Sequence, residues 1–343
     1  MIIHVLCNDG SPLGVTTQSI YGEDGTLGVG GAELALLTMC ELWHNRGDQV
    51  VLYNNPRPHC RSPFEQRNLD DYRAEDKSRD VMIIFRSPNK RAWGGTGYRV
   101  WWSCDQTTIG DFQRFAKAVD QVVVISEFHK SYFSATYGIH DPTVIDLPVR
   151  VWEYQPPIEK VSKRCLFSSV PDRGLHLLLP LWERIQAVHP DASLTITSDY
   201  RLWGADSPIN EKHRIGWLRS KNVRFLGGIN RRDLIYEQMQ AQVHLYPCIY
   251  EELFCISVAE SMVAGALPIT SDCGALDSTN MYRIIKGNPI KMAWQAEFLD
   301  VANAVLFNPE LPTIQAEIRE KAIARFRPER ILKEWDEKVF SRG

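Results

Sequence analysis

Several things this 343-residue chain lacks narrow the field before anything it contains. Its eight cysteines include no Cys-x-x-Cys pair and its nine histidines no His-x-x-x-His pair, so the sequence gives little to build a structural zinc site from. The cysteines (Cys7, Cys40, Cys60, Cys104, Cys165, Cys248, Cys255 and Cys273) are scattered, several inside apolar runs. They read as buried free thiols of a reducing compartment. No apolar run approaches the ~18 residues of a membrane span. Ile2–Leu6 reads as a strand, with no charged-then-apolar leader, so a cytoplasmic protein is expected. A basic excess is missing too. Formal net charge is −3, residues 1–150 hold 15 Lys/Arg against 18 Asp/Glu, and the remainder holds 24 against 24. That argues against a nucleic-acid partner. No repeat or low-complexity tract occurs. What remains is an ordinary globular composition, 44% hydrophobic and 24% charged, long enough for two cores.

Short β-rich runs alternate with helix-length amphipathic segments, the pattern of parallel sheets wrapped by helices. In the first half the pattern predicts strands at Ile2–Leu6, Gln49–Tyr53, Val81–Phe85, Tyr98–Trp102 and Gln121–Ile125, and a helix over Ala32–Asn45 stopped by Gly47. The polar stretch from Asn54 to Asp80 reads as a long surface excursion. In the second half, strands are expected at Cys165–Ser169, Ser193–Thr197, Val223–Leu226, Gln242–Tyr246 and Leu267–Thr270. Helices are expected at Arg173–Val188, Arg231–Met239 and Ile256–Ala264, with several more after Met292. The prolines of Pro148–Pro157 mark the seam. The reading is two doubly wound α/β domains, with ligands at the carboxyl ends of the strands.

The most informative segment runs from Tyr246 to Thr270: a buried strand, a polar loop, a helix, a glycine stop at Gly265 and another strand. It places Glu252 in the loop ahead of the helix and Glu260 in the helix's second turn. A helix start offers free amides and the positive end of the dipole to a diphosphate, and carboxylates suit sugar and ribose hydroxyls. Hydroxyl, phosphate, hydroxyl is the order of groups in a nucleotide-sugar.

Glu252 and Glu260, with seven residues between them, resemble the E-x7-E motif of retaining GT4 glycosyltransferases of the GT-B fold, and the likeness extends through Gly265 and Pro268–Thr270. The resemblance implies that Glu252 meets the donor sugar and Glu260 the ribose. It also lays Phe254, Cys255, Ile256 and Ser257 along the donor, with the backbone of the last two near the diphosphate. Where the family often writes E-G-F-G, this chain has Glu252-Leu253-Phe254-Cys255, so both glycines are replaced. Phe167–Leu175 resembles the family's R-x-x-x-x-K-G segment. Arg173 falls on the lysine, Ser168 on the arginine, and Ser169 beside it. Val223–Gly227 with Arg231–Leu234 resembles the strand-turn-helix lining the base pocket.

In the first half, Gly28-Val29-Gly30-Gly31-Ala32-Glu33 resembles the family's G-G-A-E loop, which brings Gly30 and Gly31 near the donor phosphates. It fails as a dinucleotide fingerprint for want of a third glycine. Asp105, in the loop after the fourth strand, is the candidate acid on donor sugar or acceptor. Ser126 reads as a helix N-cap. Arg86–Trp102 reads as an exposed basic loop over buried Trp101 and Trp102, with acceptor or membrane-surface contact as alternatives.

The resemblance implies a GT-B architecture: Rossmann-like domains over 1–150 and 151–327, facing across a cleft whose closure expels water, and a C-terminal helix (about 328–343) crossing back to the first. It implies retention of anomeric configuration by front-face attack, with Glu252, Arg173 and Asp105 as catalytic residues, in glycan or glycoconjugate biosynthesis. No Asp-x-Asp occurs, so neither metal nor cofactor is expected. Partners are a nucleotide-sugar donor and a carbohydrate, lipid-linked or small-molecule acceptor, with peripheral membrane contact left open. A nucleotide-sugar epimerase, a phosphorylase and a non-catalytic carbohydrate-binding relative remain alternatives.

Overall fold

The computed structural model describes residues 1–7, 14–59, 61–201 and 208–342; Cys60 lies outside them. The chain divides into two compact units, Met1–Pro148 with Pro328–Gly343, and Val149–Arg327.

The first unit is built on a seven-stranded sheet: β1 (Ile2–Cys7), β2 (Gln49–Tyr53), β3 (Glu65–Arg67), β4 (Val81–Phe85), β5 (Tyr98–Trp102), β6 (Gln121–Val124) and β7 (Thr143–Val144). The order is β3-β2-β1-β4-β5-β6-β7 and every pairing is parallel. The inner strands are buried on both faces, which is why β4 reads Val-Met-Ile-Ile-Phe without alternation. Trp101 anchors an aromatic core, its ring 4.9 Å from Phe112 and 5.5 Å from both Phe115 and Phe133. The C-terminal helix Pro328–Lys338 belongs to this unit, its Trp335 ring 5.3 Å from Trp43 and 5.2 Å from Trp102.

The second unit has six strands: β8 (Arg164–Ser168), β9 (Ser193–Thr197), β10 (Val223–Phe225), β11 (Val243–Tyr246), β12 (Leu267–Ser271) and β13 (Arg283–Ile285). Their order is β10-β9-β8-β11-β12-β13, again parallel throughout. Each sheet therefore reverses direction once, between β1 and β4 and between β8 and β11, and such a reversal opens a crevice at the strands' carboxyl ends. The unit's two ends meet: the Val149 N–H donates to the carbonyl of Phe326, next to the unit's last residue Arg327, at 2.9 Å.

Predicted and observed strands agree to about one residue at each end, within the usual latitude of such boundaries. Two expectations need correction. The stretch from Asn54 to Asp80 is not a plain surface excursion, because β3 pairs with β2 and Phe64, Leu69, Tyr72 and Arg79 are buried. Its apolar anchors are too widely spaced to leave a periodic signal. The helix expected at Arg173–Val188 is a 3-10 turn, Pro171–Arg173, followed by an α-helix over Leu175–Val188. Gly174 separates them in the left-handed region at φ +100. Among the described residues no helix is long and apolar enough to cross a membrane, and Cys7, Cys40, Cys104, Cys165, Cys248, Cys255 and Cys273 are all free thiols.

Candidate active site

In the second unit the chain crosses itself at the β8/β11 reversal. Gly174 backs onto Pro247 so closely that an added Cβ would lie 2.1 Å from the Pro247 carbonyl oxygen. Only glycine fits that crossing, and it brings Arg173 to the loop after β11. There Arg173 Nε donates to Glu252 Oε1 at 3.0 Å, and its guanidinium carbon stands 3.5 Å from the Tyr250 ring centroid. The Tyr246 hydroxyl donates to the same Glu252 oxygen at 2.9 Å and lies 3.1 Å from Ser169 Oγ. Burial disfavours the Arg173 charge, but Glu252 and the phenols of Tyr246 and Tyr250 outweigh it and hold the group above the ordinary guanidinium range.

Glu252 is also fixed through its backbone. The Ala275 N–H donates to its carbonyl at 2.6 Å, and Gly274, at φ +64, packs so tightly that a Cβ there would lie 2.3 Å from that carbonyl oxygen. The helix Ile256–Val263 follows, with Cys255 as its N-cap at φ +69. Cys255 thus keeps the left-handed backbone at the place where the family writes its second glycine, and Leu253 is not among the residues of positive φ. First-turn amides such as those of Ile256 and Ser257 have no intrahelical acceptor, and they sit at the positive end of the dipole. Ser257 Oγ donates to the Ser168 carbonyl, joining the helix start to the end of β8. Two cations serve the opposite end: Lys160 Nζ donates to the Ala264 carbonyl at 2.7 Å, and Arg319 Nε to that of Val263 at 2.9 Å.

Glu260 lies one helical turn inward and is 4% exposed. Its Oε1 stands 2.9 Å from Arg231 Nη1, an ion pair whose angles miss those of a hydrogen bond, and its Oε2 accepts from Gln238 Nε2 at 3.4 Å. Burial opposes the Arg231 charge, and Glu260, Tyr154 and Glu153 more than restore it. The second unit therefore gathers Ser168, Ser169, Arg173, Glu252, Cys255, Ile256 and Ser257 around one helix mouth, with Glu260 behind it. Phe254 points elsewhere: its ring is buried against Phe326, 5.7 Å between centroids.

The first unit has its own cluster at the β1/β4 reversal. Gly30 caps the helix Gly31–Asn45 in an extended conformation, and the left-handed glycine of that loop is Gly28, at φ +137. Glu33, in the first turn, accepts from Arg86 Nη1 at 2.5 Å, and Asp105 accepts from Arg86 Nε at 2.5 Å and Nη2 at 3.1 Å. Arg86 is thus no part of an exposed basic loop. Two carboxylates draw its side chain in to 14% exposure, on a left-handed backbone at φ +64. Lys90 and Arg91 stay exposed, and Trp101 and Trp102 are buried. Burial, reinforced by Asp105, pushes the neighbouring Cys104 thiol well up. Ser126 caps the helix Glu127–Tyr137, its Oγ accepting from the His129 N–H at 3.0 Å.

Sequence reasoning missed Tyr246, Tyr250, Gly274 and the Arg86 hub. A tyrosine ending a buried strand and a lone glycine after another were the only signals available.

Residues 166–312 match the family model described as glycosyl transferases group 1. None of the curated proteins matches the chain. Among solved structures, sucrose-phosphate synthase from Thermosynechococcus elongatus is similar with a TM-score of 0.71 over 100% of both chains, at 14% identity. A glycosyltransferase from Rickettsia africae gives 0.71 over 98% of this chain and 97% of its own, at 13% identity. HepE of Anabaena, in complex with UDP and glucose, gives 0.68 over 99% of this chain and 100% of its own, at 14% identity. At such identities the likeness is one of fold, two parallel-sheet α/β domains of the GT-B kind, while the second unit resembles group 1 glycosyl transferases in sequence as well.

Proposed function

We propose that the chain is a retaining glycosyltransferase that moves a sugar from a nucleoside-diphosphate donor to an acceptor hydroxyl. One observation carries the reading. The match to glycosyl transferases group 1 falls on the segment where Arg173, Glu252 and the start of the Ile256–Val263 helix converge. In this reading Arg173 and the Ile256 and Ser257 amides take the diphosphate, whose negative charge grows as the anomeric C–O bond breaks. The new bond forms on the same face, and the acceptor proton leaves with the departing phosphate oxygen. Glu252 orients the donor sugar by a hydroxyl and Glu260 the ribose. From the first unit, Asp105, held by Arg86, is the proposed acid on the donor sugar or acceptor, and the Gly30 and Gly31 backbone is the proposed contact for the phosphates. The guanidinium and the helix dipole supply the positive charge, so no metal is required. Glu252 meanwhile holds the Arg173 guanidinium in place before a donor arrives.

The test is a panel of nucleotide-sugars screened by thermal shift, followed by NMR of the transferred glycoside. UDP-sugars head the panel because the similar HepE structure holds UDP and glucose. Stabilisation by at least one donor and a product of unchanged anomeric configuration are expected. An inverted product would refute retention alone, and no stabilisation by any nucleoside diphosphate would refute the reading.

A further inference from the structure

Behind Glu260 lies a file of alternating charges with almost no access to water. Arg150 Nε donates to Glu153 Oε1 at 2.7 Å, and Glu153 Oε2 accepts from Arg231 Nε at 2.6 Å. Arg231 in turn faces Glu260 at 2.9 Å. All four side chains are 5–6% exposed. The file closes through neutral groups: the Tyr154 hydroxyl donates to Gln238 Oε1 at 2.8 Å, and Gln238 Nε2 reaches Glu260 Oε2. Stability does not account for such an arrangement, since a buried ion series is commonly no better than apolar packing of the same volume. What it does supply is orientation. Arg231 is gripped by Glu153 from one side, so its guanidinium plane is set before it meets Glu260, whose carboxylate is then held between Arg231 and Gln238.

We propose that Arg231, braced by Glu153 and Arg150, is the positioning residue that presents the Glu260 carboxylate to the 2′- and 3′-hydroxyls of the donor ribose. This rests on the glycosyltransferase reading given above. A carboxylate fixed in one orientation discriminates by hydrogen-bond geometry, because a nucleotide lacking a hydroxyl leaves a buried acceptor unmet. The consequence is selectivity for ribonucleotides that depends on the charges packed behind the Glu260 carboxylate.

The test is titration calorimetry of the full chain, its R231M and E153Q variants with UDP, GDP, ADP and CDP and with their 2′-deoxy and 3′-deoxy counterparts. The parent should bind its preferred diphosphate on the order of tenfold or more tighter than the deoxy forms. R231M should lose most of that ratio while its affinity for the deoxy forms stays within about twofold, and E153Q should lose part of it. A ratio unchanged in R231M, or equal losses for ribo and deoxy ligands, would overturn the proposal. Should R231M not fold, a folded E153Q with the full parental ratio overturns it equally. A parent that binds ribo and deoxy diphosphates alike overturns Glu260 as the ribose carboxylate, and this inference with it, but leaves the diphosphate site standing. A parent that binds no diphosphate overturns both.

Discussion

Replacing Gly174 by alanine separates two penalties that normally arrive together. At φ +100 any side chain is strained, by about 1–2 kcal/mol. The added methyl would also lie 2.1 Å from the Pro247 carbonyl oxygen, so one of the two crossing loops must move by about 1 Å, an overpacking cost of roughly 1–3 kcal/mol. Gly287 supplies the control, with φ +102 and open space for at least 4 Å around the place a Cβ would take. G174A should therefore lose about 2–5 kcal/mol and G287A only the backbone share. In a unit of this length the larger loss corresponds to roughly 5–15 °C in Tm by scanning calorimetry. The displaced loops carry Arg173 and Glu252, so G174A should also weaken binding of the nucleoside diphosphate identified by thermal shift, while G287A should not. Equal Tm values for the two variants, or undiminished nucleotide affinity in G174A, would refute the claim that this crossing sets the site.

E260A should raise the nucleotide Kd with little effect on kcat, whereas E252A should lower kcat by roughly a hundredfold; steady-state kinetics giving equal effects on both constants would undercut the separate roles. Transfer activity should persist in excess EDTA, and its abolition, reversed by a divalent cation, would contradict the metal-free reading. Burial, helped by the Arg319 charge, pulls Lys160 down to about 7. Between that value and the ordinary lysine range the unfolded chain holds a proton that the folded chain gives up, so stability contributed here rises with pH above 7. Urea unfolding from pH 7 to 9 should accordingly show a shallower rise in K160M than in the parent, and parallel curves would contradict it. W335A should cost about 3–5 kcal/mol by removing the ring between Trp43 and Trp102, and a loss under about 1 kcal/mol in urea unfolding would show that the C-terminal helix is not part of that core.

Much of this was legible in the sequence because parallel α/β units write themselves plainly. Strands buried on both faces appear as unbroken apolar runs, as in Val81–Phe85 and Val122–Val124. What escaped had its cause in contacts distant along the chain. β3 and β7, three and two residues long, carry no pattern of their own and exist because a neighbouring strand offers a ladder. Glu127–Tyr137 betrayed only its Ser126 cap, since its mean hydropathy is close to neutral. Arg86 looked like one cation among several, and its engagement by Glu33 and Asp105 depends on the ends of β4 and β5 meeting the start of the helix Gly31–Asn45. Cys255 is the converse case. Its left-handed backbone is imposed by the loop, against the residue's own preference, so the conformation at this position could not be read from the residue type.

The hydrogen bond between Val149 and Phe326 means that the second unit is entered and left through a single doorway. It is an insert in the first unit's chain, attached at adjacent points. Such a cassette can be lifted out, exchanged for another insert, or joined head to tail and reopened at a distant loop, while β1–β7 and the closing helix keep their own sequence context.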